Sequence, residues 1–231
     1  MVAQSSTHWW YRVRRELVQK FLNQYVGQGG AVLEVGCGAG DTLLMLKKTY
    51  SVSGIDMSDE AVRITKEKGV PVQKGDATNI PAAHELFDAV LALDVLEHIE
   101  KPDNALKEMK RVLKPGGTLV VFVPAFMFLW SVTDVLSHHY RRYTRHELVA
   151  LIESAGFTVV RSSYFNTLLF PLIALTRLTV RTLHIAVGSE MGTGTGLMNE
   201  FLYYIFRIEV PLLTHVNFPF GVSIAVIAKK L

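Results

Sequence analysis

Residues 33–41 read Leu33-Glu34-Val35-Gly36-Cys37-Gly38-Ala39-Gly40-Asp41, a short apolar run that breaks into glycines at alternate positions. Ala31 to Val35 has the length and composition of a buried strand, and Asp41 to Tyr50 carries helical periodicity. The stretch therefore predicts a strand, a tight turn and a helix. Bare glycines let a backbone pass close to a ligand, and the helix N-terminus beyond them offers free N–H groups and a positive dipole end. Such a turn selects something negative or polar.

The same alternation continues outward. Residues 51–56 and 71–76 predict strands around a helix over 58–69 with Ser58 as its N-cap, and FDAVLAL at 87–93 predicts another strand. Pro102 to Leu113 reads as a helix, Pro115-Gly-Gly as a turn and TLVVFVP at 118–124 as a strand. Buried strands separated by helices mean a parallel sheet covered on both faces. Thr144 followed by Glu147 forms a capping box, Gly156 ends that helix, and FTVVRSSYF at 157–165 and a run over 221–228 predict the last two strands. At the other end, residues 8–26 space Trp9, Trp10, Val13, Leu17 and Phe21 as one helix face. A single domain is expected, divided into a helical lid (1–27), a cofactor-binding core (28–163), an apolar helical insertion (164–219) and a final strand (220–231). The patch GSEMGTGTG at 188–196 predicts a flexible loop.

At 49% hydrophobic and 19% charged residues the chain is globular, and a mean hydropathy of +0.25 leaves apolar surface that function can use. Twenty-four Lys+Arg against 21 Asp+Glu, without a basic run, argues against a nucleic-acid partner. One cysteine, Cys37, excludes an internal disulfide and a Cys-based zinc site. The first residues do not have the pattern of a secretion signal, so a cytoplasmic location is expected, with membrane association left open.

A dinucleotide fingerprint of the G-x-G-x-x-G kind would need glycine where the chain has Asp41. The cluster instead resembles the E/D-x-G-x-G-x-G motif of class I S-adenosylmethionine-dependent methyltransferases. FDAVLALDVLEHI and LKEMKRVLKPGGTLVVFVP resemble the fourth- and fifth-strand blocks of the small-molecule and lipid-type members (type 11/12-like), so the resemblance covers about residues 28–163. It implies a Rossmann-like three-layer α/β sandwich, a seven-stranded mostly parallel sheet with an antiparallel last strand, and S-adenosylmethionine as cofactor, leaving S-adenosylhomocysteine as product. Gly36, Gly38 and Gly40 would then cradle the cofactor, and Glu34 suits its cationic part. Asp56, 20 positions after Gly36, is placed for ribose hydroxyls, with Met57 beside the adenine. Asp76 and Ala77 match the position that meets the adenine edge, and Leu93 lies below the site. Glu97 and His98 have two readings: they turn toward the methionyl end, or they bond backbone and cap a helix.

Methyl transfer from a sulfonium is an in-line displacement, so the protein mainly aligns donor and acceptor and excludes water. Residues 126–148 concentrate Trp130, His138, His139, Arg141, Arg142 and Tyr143 after the fifth strand, where open α/β sheets bind ligands. The stretch resembles an H-x-R-R-Y segment of some of these methyltransferases. His139 is the candidate general base or substrate anchor, and Arg141 or Arg142 would steer an acidic group. In the alternative, the arginines pair with Glu147 and Asp134 and the histidines cap. Trp9 and Trp10 are expected either to close the acceptor pocket or to anchor the core.

The insertion is apolar but carries Arg177 and Arg181 on one helix face, which suits a pocket cover, a membrane-surface contact or a homodimer interface better than a spanning helix. The acceptor implied is a hydrophobic small molecule such as a quinone precursor, polyketide or lipid-linked compound, with O-methylation ahead of C-methylation. Nucleic-acid amino methylation is disfavoured because Leu93-Asp94-Val95-Leu96 replaces the N/D-P-P-Y/F motif that holds a flipped base. No metal site is expected, since the acids are already assigned to the cofactor. Two other classes compete: a nicotinamide oxidoreductase, which Asp41 and Glu34 oppose, and a non-catalytic or regulatory protein that binds the same cofactor.

Overall fold

A computed structural model describes residues 7–182 and 196–231. Its sheet has seven strands in the order β3-β2-β1-β4-β5-β7-β6. They are β1 (Ala31–Val35), β2 (Ser51–Asp56), β3 (Val72–Lys74), β4 (Phe87–Leu93), β5 (Leu113–Pro124), β6 (Phe157–Phe165) and β7 (Ser223–Lys230). The first five run parallel, and β7 lies antiparallel between β5 and β6. The chain runs outward from β1 to β3 and returns to β4 on the other side of β1, so the order reverses between β1 and β4. Two diverging crossovers leave a crevice at the carboxyl ends of those strands.

The helices are α1 (Trp9–Tyr25), α2 (Asp41–Leu46), α3 (Asp59–Glu67), α4 (Pro102–Val112), α5 (Val132–Leu136), α6 (Arg145–Ser154), α7 (Phe170–Thr182) and α8 (Gly196–Arg207). Local chemistry sets their ends. Ser58 caps α3 by accepting from the Ala61 amide, Pro102 opens α4 where no N–H is missed, and Thr144 and Glu147 close a reciprocal capping box on α6. Gly156 then takes φ of 85° to leave that helix.

One face of the sheet packs on α1 and α8 through Leu17, Phe21, Phe122, Phe165 and Phe206, and the other on α4 and α6 through Leu106, Met109, Leu148 and Ile152. Thus α1 is a core helix, with Val13, Leu17, Val18, Phe21 and Leu22 fully buried, and it is its first turn that faces the cavity described below. Pro115-Gly-Gly turns ahead of the run 118–124, with Gly116 at φ of 73°. It lies within β5, which pairs Leu113 with Phe87 and then Thr118 with Ala89, so the three residues are absorbed as a bulge.

The insertion begins directly after β6 and supplies α7 and α8. Its root is held by the buried Glu209 carboxylate, which accepts from the Thr167 and Leu168 amides at 3.0 and 2.7 Å. The expected loop at 188–196 lies outside the described residues but for Gly196. Among the described residues no helix is long and apolar enough to cross a membrane.

Phe122 lies against Phe21 and Phe165, with ring centroids 6.2 and 5.0 Å away. Phe122→Ala is expected to cost about 3–5 kcal/mol in urea unfolding, against less than about 0.5 kcal/mol for Phe201→Ala on the exposed face of α8. Equal losses would contradict this placement of the core.

Candidate active site

The residues that the sequence assigns to the cofactor line up along the carboxyl ends of four adjacent strands. Gly36, Gly38 and Gly40 all take positive φ in the turn after β1. At Gly40 a Cβ would come within 2.6 Å of the Thr65 side chain, so the turn packs on α3 only without one. At Gly38 a Cβ would meet nothing within 4 Å, so the space above that residue is open for a ligand to approach the backbone. The Gly36 and Cys37 amides both donate to the Ile55 carbonyl, at 2.9 and 3.1 Å, which fastens the turn to β2.

Asp56 ends β2 and braces the same turn, its two carboxylate oxygens accepting from the Gly38 and Ser58 amides at 2.8 and 2.9 Å. Met57 beside it is 67% exposed, which leaves its thioether available to a ring. Past β3, Asp76 accepts from the Thr78 amide at 2.7 Å, and Ala77 is buried beneath it. Leu93 is buried at the end of β4 and faces the neighbouring cavity. Asp41 opens α2 and is paired by Lys68. Burial pushes the Cys37 thiol up to about 12, so it is a packing group rather than a nucleophile.

Glu34 lies beneath the turn, 2% exposed, with Oε2 unpartnered. Burial raises its pKa from the ordinary 4.5 to about 8, and nearby Arg14 offsets only part of that. An acid poised this way answers a cation arriving above it by ionising. The glycine cradle and this orphaned carboxyl oxygen fit a ligand that carries positive charge and no phosphate.

Beside this edge opens a cavity of about 1810 Å³. Ser58 and Leu93 mark where it meets the cofactor side, and Trp9, Trp10, Trp130 and Leu172 give it apolar walls. Trp10 stacks on Phe206 at 5.4 Å, and the Trp9 amide donates to Asn199 at 2.8 Å, so α1 and α8 together fix the first turn of α1. The inward side of α7 contributes Ile173, Thr176, Arg177 and Arg181, which makes the insertion one wall of the cavity.

A further wall is built around Asp134, which is 1% exposed. Its carboxylate accepts from Arg142 Nε and Nη2 at 2.8 and 2.9 Å, from the Ser131 amide at 2.8 Å, and from His139 Nδ1 at 2.9 Å. Burial alone would raise its pKa, but the bonds from His139 and Arg142 hold it well below the usual carboxylate range. An anionic partner makes Nδ1 of His139 the nitrogen that donates, so in the neutral ring the lone pair lies on Nε2.

Of the two readings of the motif, the pairing of Arg142 with Asp134 is the one observed. Arg142 borders the cavity with its guanidinium held by Asp134 and the Ala125 carbonyl. Arg141 turns outward to the Glu100 carbonyl, and Tyr143 is buried with its hydroxyl donating to the Leu96 carbonyl. Neither lines the cavity. Their work is to pin residues 126–143 to the sheet edge, which presents Trp130, His138 and His139 to the interior.

Asp94 and Asn166 line the cavity without a sequence signal strong enough to find them, and Glu97 and His98, which the sequence offered with two readings, line it as well. Asp94 takes φ of 58° after β4 and pairs with Arg14 of α1, a contact across 80 residues. Asn166 also takes a positive φ and is fully buried, and neither its amide nitrogen nor its oxygen has a partner. Glu97 is fully buried beside His98, and the backbone bond from the Tyr140 amide to the Glu97 carbonyl, 2.8 Å, brings His139 to them. The rings of His98 and His139 meet edge to face at 4.5 Å. Burial first, and His139 second, lower the pKa of His98.

A glycine-turn crevice at the switch point of a Rossmann-like sheet defines a domain for a nucleoside-bearing cofactor. Residues 33–121 match the family model described as a methyltransferase domain, a class whose cofactor is S-adenosylmethionine. The chain is 34% identical over 117 residues to the probable tRNA methyltransferase 9B of Mus musculus, covering 49% of this chain and 25% of that protein. It is 38% identical over 119 residues to the demethylmenaquinone methyltransferase of Staphylococcus aureus (strain JH9), covering 48% of each. It thus spans a quarter to a half of the curated relatives named. The solved S-adenosylmethionine-dependent methyltransferase of Thermotoga maritima superposes with a TM-score of 0.60 at 22% identity, over 96% of this chain and 91% of that one, a likeness of fold.

The raised pKa of Glu34 fixes the sign of its effect on stability. The folded protein holds that proton between about pH 4.5 and 8 while the unfolded chain has released it, so Glu34 costs stability as pH rises through this window. Without ligand, Glu34→Gln is expected to melt increasingly above the wild type from pH 5 to pH 8. A gap that shrinks over that range would contradict the assignment.

Proposed function

We propose that the protein transfers the methyl group of S-adenosylmethionine to an oxygen or carbon nucleophile of a hydrophobic small molecule held in the cavity. The observation that carries this reading is the position of an apolar cavity, walled by Trp9, Trp10, Trp130 and α7, against the cofactor edge at Leu93 and Ser58. Bound there, the cofactor supplies an electrophilic methyl on a sulfonium, and displacement needs little from the protein beyond alignment and the exclusion of water.

The chain's own residues divide the work. Gly36, Gly38 and Gly40 hold the donor close to the backbone, Glu34 offers charge to its cationic part, and Asp56 with Met57 serves the nucleoside. The tryptophans and Leu172 take the apolar body of the acceptor, while Asn166, buried and unpartnered, offers it a polar contact. His139, oriented by Asp134, handles the acceptor's hydroxyl as general base or anchor. An oxygen nucleophile suits that imidazole better than carbon does. The outward faces of α7 and α8 expose Leu175, Leu178, Phe201 and Tyr204, which suits delivery from a membrane surface or contact with a second copy.

S-adenosylhomocysteine at about 100 times its dissociation constant is expected to add about 2.7 kcal/mol of stability, read as a rise of roughly 5–10 °C in Tm, while NADH adds none. A rise with NADH alone would favour the oxidoreductase class. His139→Ala is expected to keep the S-adenosylhomocysteine shift and lose about 10²–10⁴ in methyl transfer from labelled donor. Unchanged transfer would remove His139 from the reaction.

A further inference from the structure

Glu97, His98 and His139 bring one ligand atom each to within 4.8 Å of one another, from two segments well separated in the chain. We propose that these three side chains bind a divalent first-row transition ion of the zinc type at the wall of the acceptor cavity. Two imidazoles and a carboxylate form the donor set that borderline ions of this kind take, with further positions left for water or substrate oxygen.

Each member is prepared for the role by its surroundings. Glu97 is fully buried, and both of its carboxylate oxygens lack a hydrogen-bond partner. A carboxyl left this way in a polar pocket is costly unless something positive meets it. Both histidines have one ring nitrogen engaged, His139 by Asp134 at 2.9 Å and His98 by the Ser137 backbone. Metal-bound histidines characteristically bond a carboxylate or carbonyl through the nitrogen opposite the ion, which sets the tautomer and the ring orientation. The two cations facing this group, Arg14 and Arg142, are already paired with Asp94 and Asp134, so they do not neutralise Glu97 in its place.

Ligands around a tetrahedral ion of this kind stand roughly 3.3 Å apart, so binding draws the three groups inward by about an ångström. His98, His138, His139 and Glu97 all line the cavity, so the open positions of the ion face the acceptor. An oxygen donor on the acceptor, such as a phenol, catechol or enol hydroxyl, is the ligand class those positions take. The inference rests on and deepens the proposed function: His139 then holds the ion that ligates the acceptor's hydroxyl oxygen, and the hydroxyl's proton passes to solvent water as the oxygen takes the methyl group from the sulfonium.

The test is metal binding by the whole protein, stripped with chelator and dialysed. Co²⁺ is titrated with its visible absorption as readout, and Zn²⁺ is titrated in competition with a chromophoric chelator. One equivalent is expected to bind, with a cobalt spectrum of nitrogen–oxygen character. His98→Ala, His139→Ala and the isosteric Glu97→Gln are each expected to weaken binding at least 100-fold. Asp134→Asn, which acts through His139, should weaken it about 10- to 100-fold, and His215→Ala should leave it unchanged. The S-adenosylhomocysteine melting shift, measured on every variant, shows that each is folded with its donor site intact. No stoichiometric uptake by the wild type, or uptake unchanged in Glu97→Gln and His139→Ala, overturns the metal site. Absence of the S-adenosylhomocysteine shift in the wild type overturns the methyl-transfer reading instead.

Discussion

Asp134 carries its negative charge with 1% of its surface exposed, and every element of the acceptor wall is arranged to meet that charge. A buried carboxylate is tolerated when cations and N–H groups surround it, and loss of a partner leaves a penalty of several kcal/mol. Here Ser131, His139 and Arg142 supply them, and Arg142 passes the constraint on to the Ala125 carbonyl at the end of β5. Residues 126–143 thereby become a fixed wall rather than a loose loop. One consequence is that the motif's arginines are spent on structure, while its histidine is held in a defined tautomer facing the interior.

The donor side solves a different problem. Its ligand-facing surface is mostly backbone, shaped by positive-φ glycines and braced from β2 by Asp56, so the geometry is set without long side chains. Beneath it Glu34 keeps a carboxyl out of water and largely protonated near neutral pH. The two sides meet at the end of β4, where Leu93 is shared and Asp94 ties the sheet to Arg14 of α1. That ion pair couples the start of α1, and with it Trp9 and Trp10, to the strand between the glycine turn and the cavity.

Much of this was legible in sequence because it is local. The runs 31–35, 51–56, 87–93 and 157–165 are apolar or alternating segments cut off sharply, and each is the strand observed. Ser58 and the Thr144–Glu147 box mark helix starts through contacts three residues long. Pro115-Gly-Gly marks the break in the β5 ladder between Leu113 and Thr118 through the positive φ of Gly116. The Asp94–Arg14 pair, the meeting of Glu97 and His98 with His139, and the positive φ of Asn166 depend on tertiary packing, for which neither periodicity nor spacing gives a signal. Arg142 shows the converse limit: an arginine in a functional-looking motif is as well explained by a buried partner, and burial is visible only in the fold.

The central claim, that an apolar acceptor sits in the cavity beside the donor, is tested most directly by incubating the purified protein with methyl-labelled S-adenosylmethionine and an extract of its source cells. The label is then partitioned between organic and aqueous phases. Label in the organic phase, lost when S-adenosylhomocysteine is added in excess, is the predicted result. Label confined to water-soluble products would contradict the claim and assign the apolar face of the insertion to an interface rather than to substrate.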